Sequence, residues 1–142
     1  MTVELQDTIE QAIAQSLKSE IIPGYTCINC QSMNCRRINS EVHNFANNLI
    51  VTINRFTETG VEEGLISYSR TLDLTSFVPG AKYKLQALIA ARALYENPSY
   101  VLYAKRRHSW YYFENNDVGR VKLNEVLNQN PYVLIYERDD SN

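Results

Sequence analysis

The apolar positions Leu5, Ile9, Ala12, Ile13 and Leu17 recur at helical spacing, with Glu4, Gln6, Asp7, Glu10 and Gln11 opposite them. That pattern predicts a short amphipathic helix whose acidic first turn suits the helix dipole. Pro23-Gly24 then breaks the chain, and Tyr25 to Cys35 reads as a polar loop. From Leu49 to Phe56 the β-branched run Leu-Ile-Val-Thr-Ile predicts a strand. Thr57 to Gly64 reads as an exposed turn, and Ser67 to Leu74 as a second extended stretch. After Pro79-Gly80, the segment Tyr83 to Leu94 carries conflicting signals: its alanines and leucines favour helix, its flanking turns strand. Tyr100 to Lys105 and Trp110 to Phe113, separated by a short basic loop, form a hairpin pattern. Lys122 to Leu127 suits a small helix and Tyr132 to Tyr136 a last strand, before a charged tail from Glu137 whose end, residues 139–142, is expected to fray. The sum is a single α+β domain over residues 1–142, a mostly antiparallel sheet with one or two peripheral helices. No internal repeat or linker interrupts it.

With 142 residues, 44% of them hydrophobic, the chain is long enough for a core without disulfide or metal staples. Its formal net charge of -2 lacks the basic excess of a nucleic-acid binder, and Lys105-Arg106-Arg107 is too short a run to change that. No stretch of about 18 apolar residues predicts a membrane span, and the first residues lack the pattern of a signal peptide. A cytoplasmic or nuclear location is expected. Three cysteines, unevenly spaced, fit a reducing compartment better than a disulfide framework.

The common chemical motifs are missing: no phosphate-cradling GxxxxGK[ST], no GxGxxG and no HExxH occurs. The two histidines, His43 and His108, sit in polar surroundings and read as surface residues. Cys27 and Cys30 form a CxxC followed by Cys35 and His43, four donors of the kinds that hold zinc. A single CxxC is weak evidence because structural zinc sites usually pair two such knuckles, so these cysteines are expected to hold no metal and no cofactor is expected.

In order along the chain, Tyr25-Thr26-Cys27-Ile28-Asn29-Cys30, the strand Asn48 to Phe56 ending in Arg-Phe, Leu72-Asp73-Leu74, Tyr83 to Ile89, Trp110-Tyr111-Tyr112-Phe113, Val118 and Pro131 to Arg138 resemble the C-terminal half of the catalytic domain of ubiquitin-specific proteases. The resemblance, over roughly residues 3 to 138, implies the palm and part of the fingers of a papain-like cysteine protease. It also resolves Tyr83 to Leu94 in favour of strand. Where the family pattern has Gly-His-Tyr, this chain has Pro98-Ser99-Tyr100; where an Asp or Asn would orient that histidine, it has Glu114. A serine hydroxyl cannot take a proton from a thiol near neutral pH. The family's cysteine box would precede the segment by far more residues than it contains. Gly24-Tyr25-Thr26-Cys27 echoes that box, but its position ahead of the Arg-Phe strand suits the zinc knuckle.

The resemblance therefore implies no catalytic residues and a catalytically inactive module that binds or scaffolds in ubiquitin-related processes. Expected contacts are Tyr100, Tyr103, Trp110 and Tyr111, and the partner is ubiquitin, held weakly, or another protein meeting the exposed palm face. The alternative is the C-terminal part of a split or truncated deubiquitinating protease whose nucleophile lies on another chain.

Overall fold

The computed structural model describes residues 1–18, 20–21, 23–33, 36–37, 42–57, 60–93 and 99–140, with backbone alone for Glu20, Ile21, Arg36, Arg37, Thr57, Val61, Arg92 and Ala93. The chain opens with β1 (Thr2–Glu4), then α1 (Ile9–Ser16), β2 (Glu20–Ile21), β3 (Arg36–Arg37), β4 (Asn48–Asn54), β5 (Phe56–Thr57), β6 (Gly60–Val61) and β7 (Thr71–Asp73). It continues with β8 (Lys82–Ala93), β9 (Ser99–Arg106), β10 (Ser109–Glu114), β11 (Asp117–Val121), α2 (Leu123–Leu127) and β12 (Pro131–Arg138).

Eight strands form one sheet in the order β1-β4-β12-β8-β9-β10-β11, with β7 also paired to β8. Every pairing is antiparallel except β1 with β4, where Thr2, Val3 and Glu4 run parallel to Thr52, Ile53 and Asn54. Period-2 alternation assigns the faces. Leu49, Val51 and Ile53 of β4 are buried, as are Leu134 and Tyr136 of β12, Leu85 and Leu88 of β8, and Val101 and Tyr103 of β9. They share one core with Ile9, Ala12 and Ile13 of α1 and Val126 of α2, so both helices lie on the same side. On the other side Ile50, Ile135, Ile89, Leu102 and Phe113 are half-buried or exposed.

The N-terminal helix is shorter than its apolar spacing suggests. Thr8 is the N-cap, its hydroxyl accepting from the Gln11 N–H at 3.2 Å, and residues 2–4 instead extend along β4. The extended stretch before β7 is held to this helix start, because the Ile9 N–H donates to the Ser67 carbonyl at 3.0 Å and the Ser67 N–H to the Asp7 carbonyl at 2.8 Å. Tyr83 to Ala93 is strand, as the resemblance implied: β8 lies between β12 and β9.

The last strand runs two residues past Tyr136. Glu137 and Arg138 pair with Lys84 and Tyr83 of β8, the Asp139 N–H donates to the Lys82 carbonyl at 2.8 Å, and Lys84 Nζ lies 2.7 Å from the Asp139 carboxylate. The charged tail, expected to fray over residues 139–142, is thus tied through Asp139.

Candidate functional site

One end of the sheet gathers the end of β4, the start of β12, the end of β8, the start of β9 and the end of β10. Its anchor is Arg55, 1% exposed, whose guanidinium donates to the carbonyls of Glu62 (3.1 Å), Gly64 (2.7 Å) and Pro131 (3.0 and 3.2 Å) and to Asn130 Oδ1 at 2.5 Å. Burial lowers its pKa, partly offset by the Glu62 charge, yet guanidinium stays protonated at any ordinary pH. The resemblance covers the Arg-Phe pair, but its structural duty was not readable from sequence, because the acceptors lie as far as 76 residues away.

Beside Arg55, Phe56 turns outward, 56% exposed. Its ring meets Tyr132 edge-on at 6.5 Å between centroids, and Tyr132 meets Tyr100, 44% exposed, at 5.9 Å. Three aromatic side chains from β5, β12 and β9 therefore form a cluster in which Phe56 and Tyr100 are exposed and Tyr132 is half-buried, of the kind that anchors protein interfaces.

Ser99, exposed at the start of β9, pairs with Ala93. The β9–β10 register runs to Phe113 opposite Leu102, which carries Glu114 to the same end of the sheet as Ser99. The two positions named from the sequence thus converge, but without an imidazole. His108 lies beyond the other end of β9, whose eight residues at about 3.3 Å each put about 25 Å between the turn and Ser99. His43 is also at that far end, since Asn44 and Asn47 accept from Arg138 at the end of β12. An exposed serine hydroxyl and a carboxylate offer hydrogen bonds here but no general base for a thiol.

The four aromatic residues expected as contacts do not act together. Only Tyr100 joins the cluster. Tyr103, 5% exposed, and Trp110, 6% exposed, face inward, because Tyr103 pairs with Leu88 and Trp110 lies opposite Val121 on the core side. Tyr111 alternates to the outer face but near the distant end, by Arg106 and Arg107.

Cys27 and Cys30 sit on a turn in which the Gln31 N–H donates to the Cys27 carbonyl at 2.8 Å and the Cys27 N–H to the Ser32 carbonyl at 3.0 Å, with Gln31 at φ 54°. The turn is closed by a bridge between Thr26 and Met33. Cys35 lies outside the described residues. Among the described residues no three His, Cys, Asp or Glu side chains group as metal ligands. Among them too, no helix is long and apolar enough to cross a membrane.

A mostly antiparallel sheet with both helices on one face, and with Ser99 and Glu114 at one end, has the fold of a papain-like cysteine protease palm. The family model for ubiquitin carboxyl-terminal hydrolase matches residues 3–136, and the chain belongs to that family. It is 29% identical over 158 aligned positions to ubiquitin carboxyl-terminal hydrolase 19 of Arabidopsis thaliana, covering 97% of this chain and 23% of that protein. To ubiquitin carboxyl-terminal hydrolase 17-like protein A of Mus musculus it is 29% identical, covering 96% of this chain and 28% of that protein. In fold it matches a chain of the yeast SAGA DUB module with a mutant Sgf73 (TM-score 0.84, 18% identity, 99% of this chain, 35% of that one). It also matches a chain of the SAGA DUB module of Ubp8, Sgf11, Sus1 and Sgf73 bound to monoubiquitin (TM-score 0.81, 18% identity, again 99% and 35%). The chain spans about a quarter of those two curated relatives and about a third of those solved chains.

Proposed function

We propose that this chain is a catalytically inactive, ubiquitin-specific-protease-like module that works by binding, with ubiquitin as its ligand at the aromatic end of the sheet. The observation that carries this reading is the site itself: Ser99 and Glu114 stand where the family pattern has its base and the residue orienting it, and both histidines lie at the opposite end of the sheet. What remains is a cluster of rings, Phe56 and Tyr100 exposed and Tyr132 half-buried, beside a buried guanidinium that ties the end of β4 to the start of β12. A solved relative of the same fold bound to monoubiquitin supports ubiquitin as the ligand.

The share of its relatives' length that the chain spans leaves a second reading, the C-terminal part of a deubiquitinating protease whose nucleophile lies on another chain. Ser99 weighs against it, since that partner would have to bring an imidazole as well as a thiol.

Titration of isotope-labelled ubiquitin by NMR tests the first reading. Shifts on one contiguous ubiquitin face are expected, with a Kd on the order of 100 μM or weaker, equivalent to about 5 kcal/mol. Tyr100→Ala and Phe56→Ala are expected to weaken binding further. No shifts at millimolar protein would refute it.

A further inference from the structure

The end of the sheet opposite the aromatic cluster holds a recess of about 690 Å³ between β9, β10, β11 and the start of α2. Its apolar floor includes Trp110 and Leu123, and Arg70, Lys105, Arg120 and Lys122 line it. Among the described residues none of these four cations has a carboxylate partner. The one acidic residue in the lining is Glu125, whose carboxylate accepts from the Lys122 N–H at 2.7 Å. A separate recess of about 600 Å³ on the outer face of the sheet holds Arg106 and Arg107 beside Tyr111 and Phe113. Four of the chain's fourteen Lys and Arg thus line one hollow, in a molecule whose net charge is -2. Four cations around a single carboxylate leave a positive excess and repel one another, an arrangement that an incoming anion relieves.

The form of that anion follows from the strand at its rim. β11 is the outer strand of the sheet and pairs only with β10, so its second row of backbone N–H and C=O groups meets no strand among the described residues. Such an edge accepts an extended peptide by main-chain hydrogen bonding, which a nucleic acid cannot supply. The acidic balance of the whole chain also opposes a polyphosphate backbone while leaving a local cationic hollow able to hold a short acidic stretch.

We infer that this recess is a docking site for an extended acidic peptide segment of a partner protein, its carboxylates on Arg70, Lys105 and Lys122 and an apolar side chain over Trp110. The site is independent of ubiquitin binding, because it lies at the other end of the sheet. Fluorescence anisotropy with a short labelled peptide of glutamates around a central leucine tests it at physiological ionic strength. Saturable binding is expected, lost when the glutamates are replaced by glutamines. Arg70→Glu combined with Lys105→Glu is expected to weaken binding by about tenfold or more, whereas Lys82→Glu, the same charge change outside the recess, is expected to alter it by less than about twofold. If the double variant unfolds by circular dichroism, each single variant is read instead, with a weakening of about threefold expected. Equal binding of the glutamine peptide, no saturable binding at millimolar protein, insensitivity to these substitutions, or tighter binding of an oligouridine RNA of matched length would each overturn the inference.

Discussion

Arg55 donates twice to the carbonyl oxygen of Pro131, through Nε at 3.2 Å and Nη2 at 3.0 Å, so one buried guanidinium clamps the end of β4 to the start of β12. The same group reaches the carbonyls of Glu62 and Gly64 through Nη1. No apolar side chain can replace those donors.

Arg55→Met is therefore expected to destabilise the fold by about 2 kcal/mol or more, since the buried Pro131 carbonyl left without a donor costs about 1–3 kcal/mol and the part-buried bonds to Glu62 and Gly64 are lost as well. Arg55→Lys keeps the charge but has a single nitrogen, which cannot span Gly64 and Pro131 together, so it is expected to recover little of the loss. Urea unfolding measures both; a loss under about 1 kcal/mol for the Met variant would show that the clamp is dispensable.

The lack of an imidazole makes a kinetic prediction. Hydrolysis of a fluorogenic ubiquitin conjugate is expected to stay at background, and alkylation of Cys27 to change nothing. Ser99→His with Glu114→Asp is expected to remain inactive too, because a base without a nucleophile completes no thiol protease. Turnover that tracks Cys27 would refute the inactive reading.

For the cysteines, metal analysis is expected to find well under one zinc per chain, and a chelator to leave the melting midpoint unmoved, because a structural zinc would contribute folding free energy directly. Stoichiometric zinc lost together with stability would refute this and point to Cys27, Cys30 and Cys35, with His43 the candidate fourth donor.

Two phenols give the alkaline limit. Tyr68 donates to the Val126 carbonyl at 2.7 Å and the Gln129 carbonyl at 3.1 Å, Tyr136 to the Ser69 carbonyl at 3.1 Å, and burial raises both pKa values well above the usual phenol range. A folded pKa above the unfolded one favours the protonated fold, so this stabilisation is complete below about pH 10 and is lost as pH rises beyond it. Ultraviolet titration of the ten tyrosines is expected to show these two ionising only as the chain unfolds. Reversible ionisation of all ten in the folded state would contradict it.

Elements with strong local signals were legible. The β-branched run of β4, the aromatic hairpin of β9 and β10 and the short α2 all lie where pattern indicates. The three-residue β1 was not, because one buried position, Val3, is too short an alternation to read and its partner β4 lies some 50 residues away. Alternation separates Tyr100 and Tyr111 from Tyr103 and Trp110, but it does not say which pair faces the core; the helices decide that, and their packing is non-local. Ser99 and Glu114 were found by resemblance, whereas Arg55 and the cationic recess needed the three-dimensional arrangement, since Arg70 and Lys105 are brought together only by the fold.

β9 links the two surfaces as a ruler. Tyr100 and Lys105 are five residues apart on one continuous strand, so their spacing is set by backbone geometry and does not change with side-chain rotamers. A partner offering both a ubiquitin fold and an acidic stretch would gain avidity only if its own linker matched that fixed interval, with effective concentration falling away for shorter or longer tethers. Selectivity among partners would then reside in the length between two weak contacts, and inserting residues into such a linker would detune it without touching either surface.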